Sequence, residues 1–356
     1  MVESQSVPGP DIPTSAAPQV QADFSVIPRF ASPPTFAGLP RADEVTDYEI
    51  GIVGIPFDSG VTYRPGARFG PGHIRAGSRL LRPYNPDLNT RPFERVQVAD
   101  LGDVGVTPFS IDTAMAQWQA QFEAMAERSR RLLVLGGDHT VTLPVLRTLA
   151  RRHGPISVVH FDAHLDTWDT YFGSELHHGT PFRRAAEEGL LDPEGCAHVG
   201  TRGSVYGASD LFDDKAFGFA TTRSEEIQQV GILGVIEALQ ARTAGRPVYL
   251  SVDIDVLDPA FAPGTGTPEP GGLTSRELLS VLRGLKGANV VGCDVVEVSP
   301  AYDHAEITAF AAAHVAYEML GLWSAADDAK SARNTPGVEK GALAIGPDQP
   351  LRERMP

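Results

Sequence analysis

Three side chains of metal-ligand type recur at alternate positions in one stretch of this sequence: Asp162, His164 and Asp166, within ISVVHFDAHLDTWD (156–169). In extended backbone, residues two apart share a face, about 6.6 Å apart along the chain. The run before them, with Ile156, Val158 and Val159, is apolar enough for a buried strand. Carboxylates and an imidazole crowded at the end of such a strand repel one another unless a cation sits among them. A second alternate pair, Asp253 and Asp255, ends VYLSVDID (248–255), and Asp138 and His139 follow LLVLGG (132–137). Glu297 closes a fourth apolar run, NVVGCDVVEV (289–298). One Asp after a strand is ordinarily a helix N-cap; alternation at two strand ends points instead to ligands. His139, Asp162, His164, Asp166, Asp253 and Asp255 are more than one ion needs. Two ions about 3.5–4 Å apart, bridged by carboxylates, would use them all and bring the pKa of a bridging water toward neutrality. The expected chemistry is hydrolysis at an electrophilic carbon or phosphorus. Mixed carboxylate and imidazole donors suit Mn(II), Zn(II), Fe(II), Co(II) or Ni(II), and oxygen-rich sets lean to Mn(II).

Such a cluster needs elements that bring distant strand ends together. Strand-like runs at 48–56, 96–104, 132–137, 157–162, 197–201, 218–222, 248–255 and 289–298 alternate with helical segments, with helices expected at about 111–130, 141–152 and 306–322. Strand–helix–strand spacing means crossover units and a mainly parallel sheet. The fold expected is a three-layer α/β/α sandwich of about eight strands. Ligands in open parallel sheets bind outside the carboxyl ends of the strands, where all these groups lie. Residues 46–324 read as the catalytic domain. A Pro-, Ser- and Ala-rich stretch at 1–45 reads as an extended arm, and 325–356 as a flexible tail.

Composition narrows the partners. A net charge of −15 argues against nucleic acid and favours a cationic small molecule. No apolar run approaches the ~18 residues of a membrane span, and the N-terminus lacks the pattern of a signal peptide. Cys196 and Cys293 sit in apolar runs and read as buried free thiols of a cytoplasmic protein. HExxH, CxxC, GxxxxGK[ST] and GxSxG motifs are absent. The glycines and prolines of 263–270 read as a stiff loop that shapes a wall of the crevice.

GGDHT (136–140), HFDAHLDTWD (160–169), SVDIDVLDPAFAPGTGTPEPGGL (251–273) and EVSP (297–300) together resemble the ureohydrolases, the arginase and agmatinase family, over about residues 48–322. RPGARFGPGHIR (64–75) and YGASDLFDDKAFGF (206–219) are similar to the agmatinase branch. HLDTWDTYFG (164–173) and HGTPFRRA (178–185) resemble bacterial agmatinases, guanidinobutyrases and related amidinohydrolases. The resemblance implies an arginase-like fold and a binuclear Mn(II) centre. One ion would be held by His139, Asp162, Asp166 and Asp253, the other by Asp162, His164, Asp253 and Asp255, with Asp162 and Asp253 bridging. It further implies that Glu297 pairs with a substrate guanidinium, that Asp166 assists proton transfer to the leaving nitrogen, and that His178 exchanges protons with solvent. The products would be urea and an amine, from agmatine, 4-guanidinobutyrate or a similar compound. Oligomers of the family are trimers or hexamers, with a related partner subunit as a further possibility.

This sequence departs from the family pattern at Thr140, where serine is more usual, at the arm segment RFASPPTFAGLP (29–40), and at His177 with Glu175. His177 reads equally as a solvent-facing loop residue or as a substrate contact. Arg64 or Arg202 could receive a substrate carboxylate, or be structural; Asp58, Tyr63 and Tyr206 sit in loops that could line the pocket. Free guanidine or a biguanide hydrolysed with Ni(II) is the alternative substrate class. A one-metal deacetylase-type hydrolase and a structural subunit of a mixed oligomer are the remaining readings.

Overall fold

The computed structural model describes residues 18–334. Eight strands form a single sheet: β1 (Ile50–Gly54), β2 (Val98–Asp103), β3 (Arg131–Leu135), β4 (Ser157–Phe161), β5 (Ala197–Thr201), β6 (Ala220–Arg223), β7 (Pro247–Asp253) and β8 (Asn289–Val296). Their order is β2-β1-β3-β8-β7-β4-β5-β6, and every pairing is parallel. The central strands are buried along almost their whole length, because crossover helices cover both faces. The three-layer α/β/α architecture expected from strand–helix alternation is the one observed.

The crossovers carry α1 (Gly70–Gly77), α2 (Ile111–Arg128), α3 (Thr142–His153), α4 (Pro181–Glu187), α5 (Ala208–Ala216), α6 (Ser224–Thr243) and α7 (Ser275–Gly284), and α8 (Ile307–Asn334) follows the last strand. Helix α3 buries Leu143, Leu146 and Leu149 at helical spacing and stops at Gly154, whose φ of 77° a side chain would resist. Helix α7 starts with a capping box, in which Thr274 and Glu277 satisfy each other's backbone N–H. Cys196 and Cys293 are buried free thiols, as expected. No helix among the described residues is long and apolar enough to cross a membrane.

Both ends of the domain differ from the sequence expectation. Within the expected arm, Phe36, Ala37 and Leu39 are core residues. The Phe36 N–H donates to Asp100 Oδ2 at 2.7 Å, and the Ala37 N–H to Ser78 Oγ at 2.7 Å. At the other end α8 runs to Asn334, past the expected end near 322, because Trp323 Nε1 donates to the Val290 carbonyl and Arg131 pairs with Asp327. The rest of the arm and tail, 1–17 and 335–356, lies outside the described residues.

Arg75 ties the arm to the sheet. Its guanidinium meets both oxygens of the buried Asp100, at 2.8 and 3.0 Å, and donates to the Gly102 carbonyl. Removing one partner of such a pair strands the other charge in the interior. Arg75→Met is expected to lower unfolding stability by about 3–5 kcal/mol, read as a shift of the urea midpoint at unchanged slope. A shift under about 1 kcal/mol, the worth of a surface pair, would refute this role.

Candidate metal and active site

The four strands whose ends carry the candidate groups are neighbours in the middle of the sheet: β3, β8, β7 and β4. His139 follows β3, Glu297 follows β8, Asp253 and Asp255 end and follow β7, and Asp162, His164 and Asp166 follow β4. All six candidate ligands and Glu297 therefore meet outside the carboxyl ends of adjacent strands. His139 Nδ1 lies 2.9 Å from Asp166 Oδ2, 3.4 Å from Asp162 Oδ2 and 3.5 Å from Asp253 Oδ2. His164 Nδ1 lies 3.2 Å from both Asp162 Oδ1 and Asp255 Oδ2. Asp162 belongs to both groupings, one oxygen facing each.

The electrostatics of this cluster call for cations. Burial, then the charges of Asp255 and Asp162, hold Asp253 well above the ordinary carboxylate range. Burial and Asp162 push Asp255 up to about 6. Asp166 is also raised, by burial and by Asp162. Burial opposes the charging of His139, but its contacts with Asp162, Asp166 and Asp253 outweigh burial and raise it well above the usual range. Acids that resist ionising and an imidazole drawn toward protonation mark a site short of positive charge.

The orientation of His139 meets what a metal ligand requires. Its Nε2 is 2.8 Å from Ser251 Oγ, which donates to Asp294 Oδ1 at 2.7 Å. Ser251 has its proton committed to the carboxylate, so Nε2 carries a ring proton and Nδ1 is the nitrogen left for a metal ion in place of a proton. Nδ1 is fully buried, has no hydrogen-bond partner, and faces the three carboxylates. Thr142 and Tyr249 also donate to Asp294, at 2.6 and 2.7 Å. An imidazole lone pair and four carboxylates without enough donors fit a pair of divalent ions.

Glu297 is 1% exposed and sits in the left-handed region at φ 63°, as does Asp166 at φ 54°. Neither is glycine, so each position stores backbone strain at a site residue. Glu297 Oε1 accepts from the His139 backbone N–H at 2.9 Å and meets His178 Nδ1 at 3.0 Å. Its other oxygen, Oε2, is buried and has no partner. A Cβ at Gly266 would stand 3.7 Å from Oε2 and 3.0 Å from the Arg64 carbonyl, so glycine there keeps the approach open. The 263–270 loop thus forms a wall of the crevice.

His178 Nε2 can take either hydrogen-bond role. Thr62 Oγ1 lies 2.7 Å from Nε2, where a hydroxyl donates to a bare nitrogen or accepts from a protonated one. The Thr62 backbone N–H, 3.1 Å away, favours the bare form. Burial also opposes protonation, but the Glu297 charge outweighs it and raises His178 to about 9. A His raised in the fold stabilises it fully below the unfolded pKa of ~6.5 and loses that contribution as pH rises through about 9. The metal-free protein is expected to lose roughly 3 kcal/mol between these limits, and His178→Gln to lose much less. Melting temperatures with chelator across this range check it; parallel curves for the two proteins would refute it.

Other expected site residues are placed differently. Arg202 is not free for a substrate carboxylate: its guanidinium donates to the carbonyls of Gly200, Asp255, Val256, Leu257, Glu269 and Pro270. It staples the loops after β5 and β7 together, and its donors are consumed doing so. Asp58 is likewise structural, accepting from the Gly66 N–H and pairing with Arg68. Arg64 stacks over Tyr63 and Tyr302. Tyr63 and Tyr206 are exposed. His177 is buried rather than solvent-facing. Its Nδ1 accepts from the Gly179 N–H, which leaves an Nε2–H donor with no partner. Burial holds its pKa down at about 4, so it is a neutral donor. Glu175 is exposed, 3.7 Å from Arg184.

Sequence reasoning missed the polar line behind the ligands. Asp294, Ser251, His160 and His198 are successive register partners on β8, β7, β4 and β5. Each interrupts an apolar buried strand, and that interruption was the available signal.

A profile of the Arginase family matches residues 48–321. Proclavaminate amidinohydrolase of Streptomyces clavuligerus is 42% identical over 298 residues, 84% of this chain and 95% of the relative. Guanidinopropionase of Pseudomonas aeruginosa is 43% identical over 301 residues, 84% and 94%. Among solved structures, a proclavaminate amidino hydrolase from Streptomyces clavuligerus superposes with a TM-score of 0.81 at 41% identity, covering 84% of this chain and 99% of that one.

Proposed function

This chain belongs to the Arginase family, and on that premise we propose that it hydrolyses the C–N bond of a guanidino compound to urea and an amine. The observation that carries the reading is Glu297 Oε2, a buried acceptor with no partner, beside a His and Asp cluster short of positive charge. A planar guanidinium satisfies such a carboxylate better than an ammonium does. Relatives named guanidinopropionase, guanidinobutyrase and agmatinase bracket the substrate class.

We assign His139, Asp162, Asp166 and Asp253 to one ion and Asp162, His164, Asp253 and Asp255 to the other, with Mn(II) favoured by the carboxylate-rich set and Ni(II) the alternative. Bound there, the ions supply a water acidified toward neutral pH and offset the negative charge of the transition state. The protein's own part is positioning and proton movement. Glu297 orients the guanidinium plane, its Oε1 fixed by the His139 N–H and by His178. Asp166, raised by burial and by Asp162, is suited to pass a proton to the leaving nitrogen. His178 exchanges protons at Nε2 with the Thr62 hydroxyl alongside.

Urea release from agmatine, 3-guanidinopropionate, 4-guanidinobutyrate, guanidine and a biguanide, each with Mn(II) or Ni(II), tests the reading. One member turning over well above the others is the expected result. No urea from any of them, with two ions bound per chain, would exclude it. A neutral Nε2–H donor at His177 suits a substrate with an acceptor at its far end. His177→Phe is accordingly expected to raise KM for a guanidino acid about tenfold, the loss of one hydrogen bond, and to leave agmatine within about twofold.

A further inference from the structure

A row of buried polar side chains leads away from the candidate ligands. His160 and His198 face each other from paired positions of β4 and β5, Nδ1 to Nδ1 at 2.7 Å. His198 Nε2 lies 2.6 Å from Asp214 Oδ1 on α5, and the Thr221 hydroxyl donates to Asp214 Oδ2 at 2.8 Å. At the other end His160 Nε2 stands 2.7 Å from Asp162 Oδ2, and neither atom has a hydrogen-bond partner elsewhere. Both histidines are 0% exposed and Asp214 is 1% exposed. Phe219 stacks on His198, with centroids 3.9 Å apart and planes 12° from parallel, and Phe182 packs on His160 at 4.3 Å.

We propose that His198 and Asp214 are positioning residues which, through His160, hold the Asp162 carboxylate in the orientation its two metal ions require. The proposal rests on the two-ion reading above. The contacts Asp162–His160, His160–His198 and His198–Asp214 each need one proton, while two neutral imidazoles carry only two between them. On the two-ion reading Asp162 faces cations and Asp214 faces none, so the third proton belongs on the ring beside Asp214 and His160 carries one. With its single proton turned toward Asp162, its Nδ1 is bare and accepts from His198 Nδ1. His198 then needs a second proton for the Asp214 carboxylate. A charged His198–Asp214 pair thereby anchors the row and dictates which nitrogen of His160 faces the ligand. The His139–Ser251–Asp294 row needs no such pair, because a hydroxyl both accepts and donates. The two rows fasten the site from opposite sides of β7, one by tautomer and one by charge.

Outer partners of metal ligands typically contribute about 10- to 100-fold in affinity. Asp214→Asn keeps shape and the Thr221 contact but cannot anchor a charged ring, and His198→Phe keeps the stack on Phe219 while cutting the row. Mn(II) affinity of the full chain is measured by competition with a chelator, alongside metal-free melting. Both variants are expected to bind at least one ion about 10- to 100-fold more weakly per folded chain than wild type, beside the fall in metal-free melting temperature that breaking a buried pair brings. Wild-type affinity in both variants overturns the proposal. So does a fall in metal-free melting with affinity per folded chain unchanged, which marks the row as structural only. Long-range 15N–1H NMR of the wild type, independent of how the variants fold, should find one bare nitrogen among the four of His160 and His198, on His160. A bare nitrogen on His198 overturns the proposal. If wild type binds no divalent ion, the two-ion reading falls together with it; if wild type binds two and the variants match it, only this proposal falls.

Discussion

Glu297→Gln is expected to lower kcat/KM for the best guanidino substrate about 10²- to 10⁴-fold, the equivalent of roughly 3–5 kcal/mol for a desolvated charge pair. Glutamine keeps the length and can still accept from the His139 N–H through its amide oxygen. It loses the charge, and its NH₂ group turns a donor toward a cation that has only donors to offer. A guanidinium entering that pocket would be stripped of water without compensation. The same substitution has a second consequence that needs no substrate. Glu297 is the charge that raises His178 to about 9, so the alkaline fall in metal-free stability should shrink with it. Measuring both separates a binding carboxylate from a merely structural one. A variant that keeps kcat/KM within about threefold of wild type would remove Glu297 from the mechanism.

Asp253→Asn is expected to act with opposite signs on the two forms of the protein. Metal content should drop below two ions per chain, and turnover fall about 10³-fold, since an amide is a poor ligand for a hard cation and roughly 4 kcal/mol of binding is at stake. The metal-free protein, in contrast, should melt at a higher temperature than metal-free wild type near pH 8. The reason lies in the direction of the Asp253 shift. Burial and the neighbouring Asp255 and Asp162 push its pKa well up, so ionising it costs folding energy as pH rises. Asparagine removes that cost and retains the acceptor for the Asp255 N–H, 2.8 Å away. Calorimetry with and without chelator reads both effects. A variant less stable in both forms would show that Asp253 is a packing residue whose charge the fold tolerates.

The candidate cluster was legible because strand geometry is local: alternation in Asp162, His164, Asp166 and in Asp253, Asp255 fixes which side chains share a face. That the four strands carrying them are neighbours is not local. It depends on β7 and β8 inserting between β4 and β3, a pairing set by contacts far apart in sequence. The His160–His198–Asp214 row was hidden for the same reason, being assembled from β4, β5 and α5. Helices were harder to read than strands. Helix α1 carries three glycines and a proline, which read as loop, and α6 is broken at Gly231, with φ 71°, which scatters its periodicity. Arg202 looked like a substrate arginine because sequence shows the charge and not the carbonyls that consume it.

Those carbonyls bear on how this scaffold can change. The wall of the crevice is held by Arg202 through main-chain oxygens of residues 255–257 and 269–270, with no dependence on the side chains there. The path of the loop is thus uncoupled from much of its sequence. Substitutions between Asp258 and Glu269, with Gly264, Gly266 and Thr267 kept, can alter what a substrate tail meets without loosening the ring of backbone that carries Asp255. A library confined to those positions, with Arg202 kept, should yield mostly folded, metal-binding variants that differ in preference. The same library on an Arg202→Ala background should lose metal affinity broadly, whatever the loop contains.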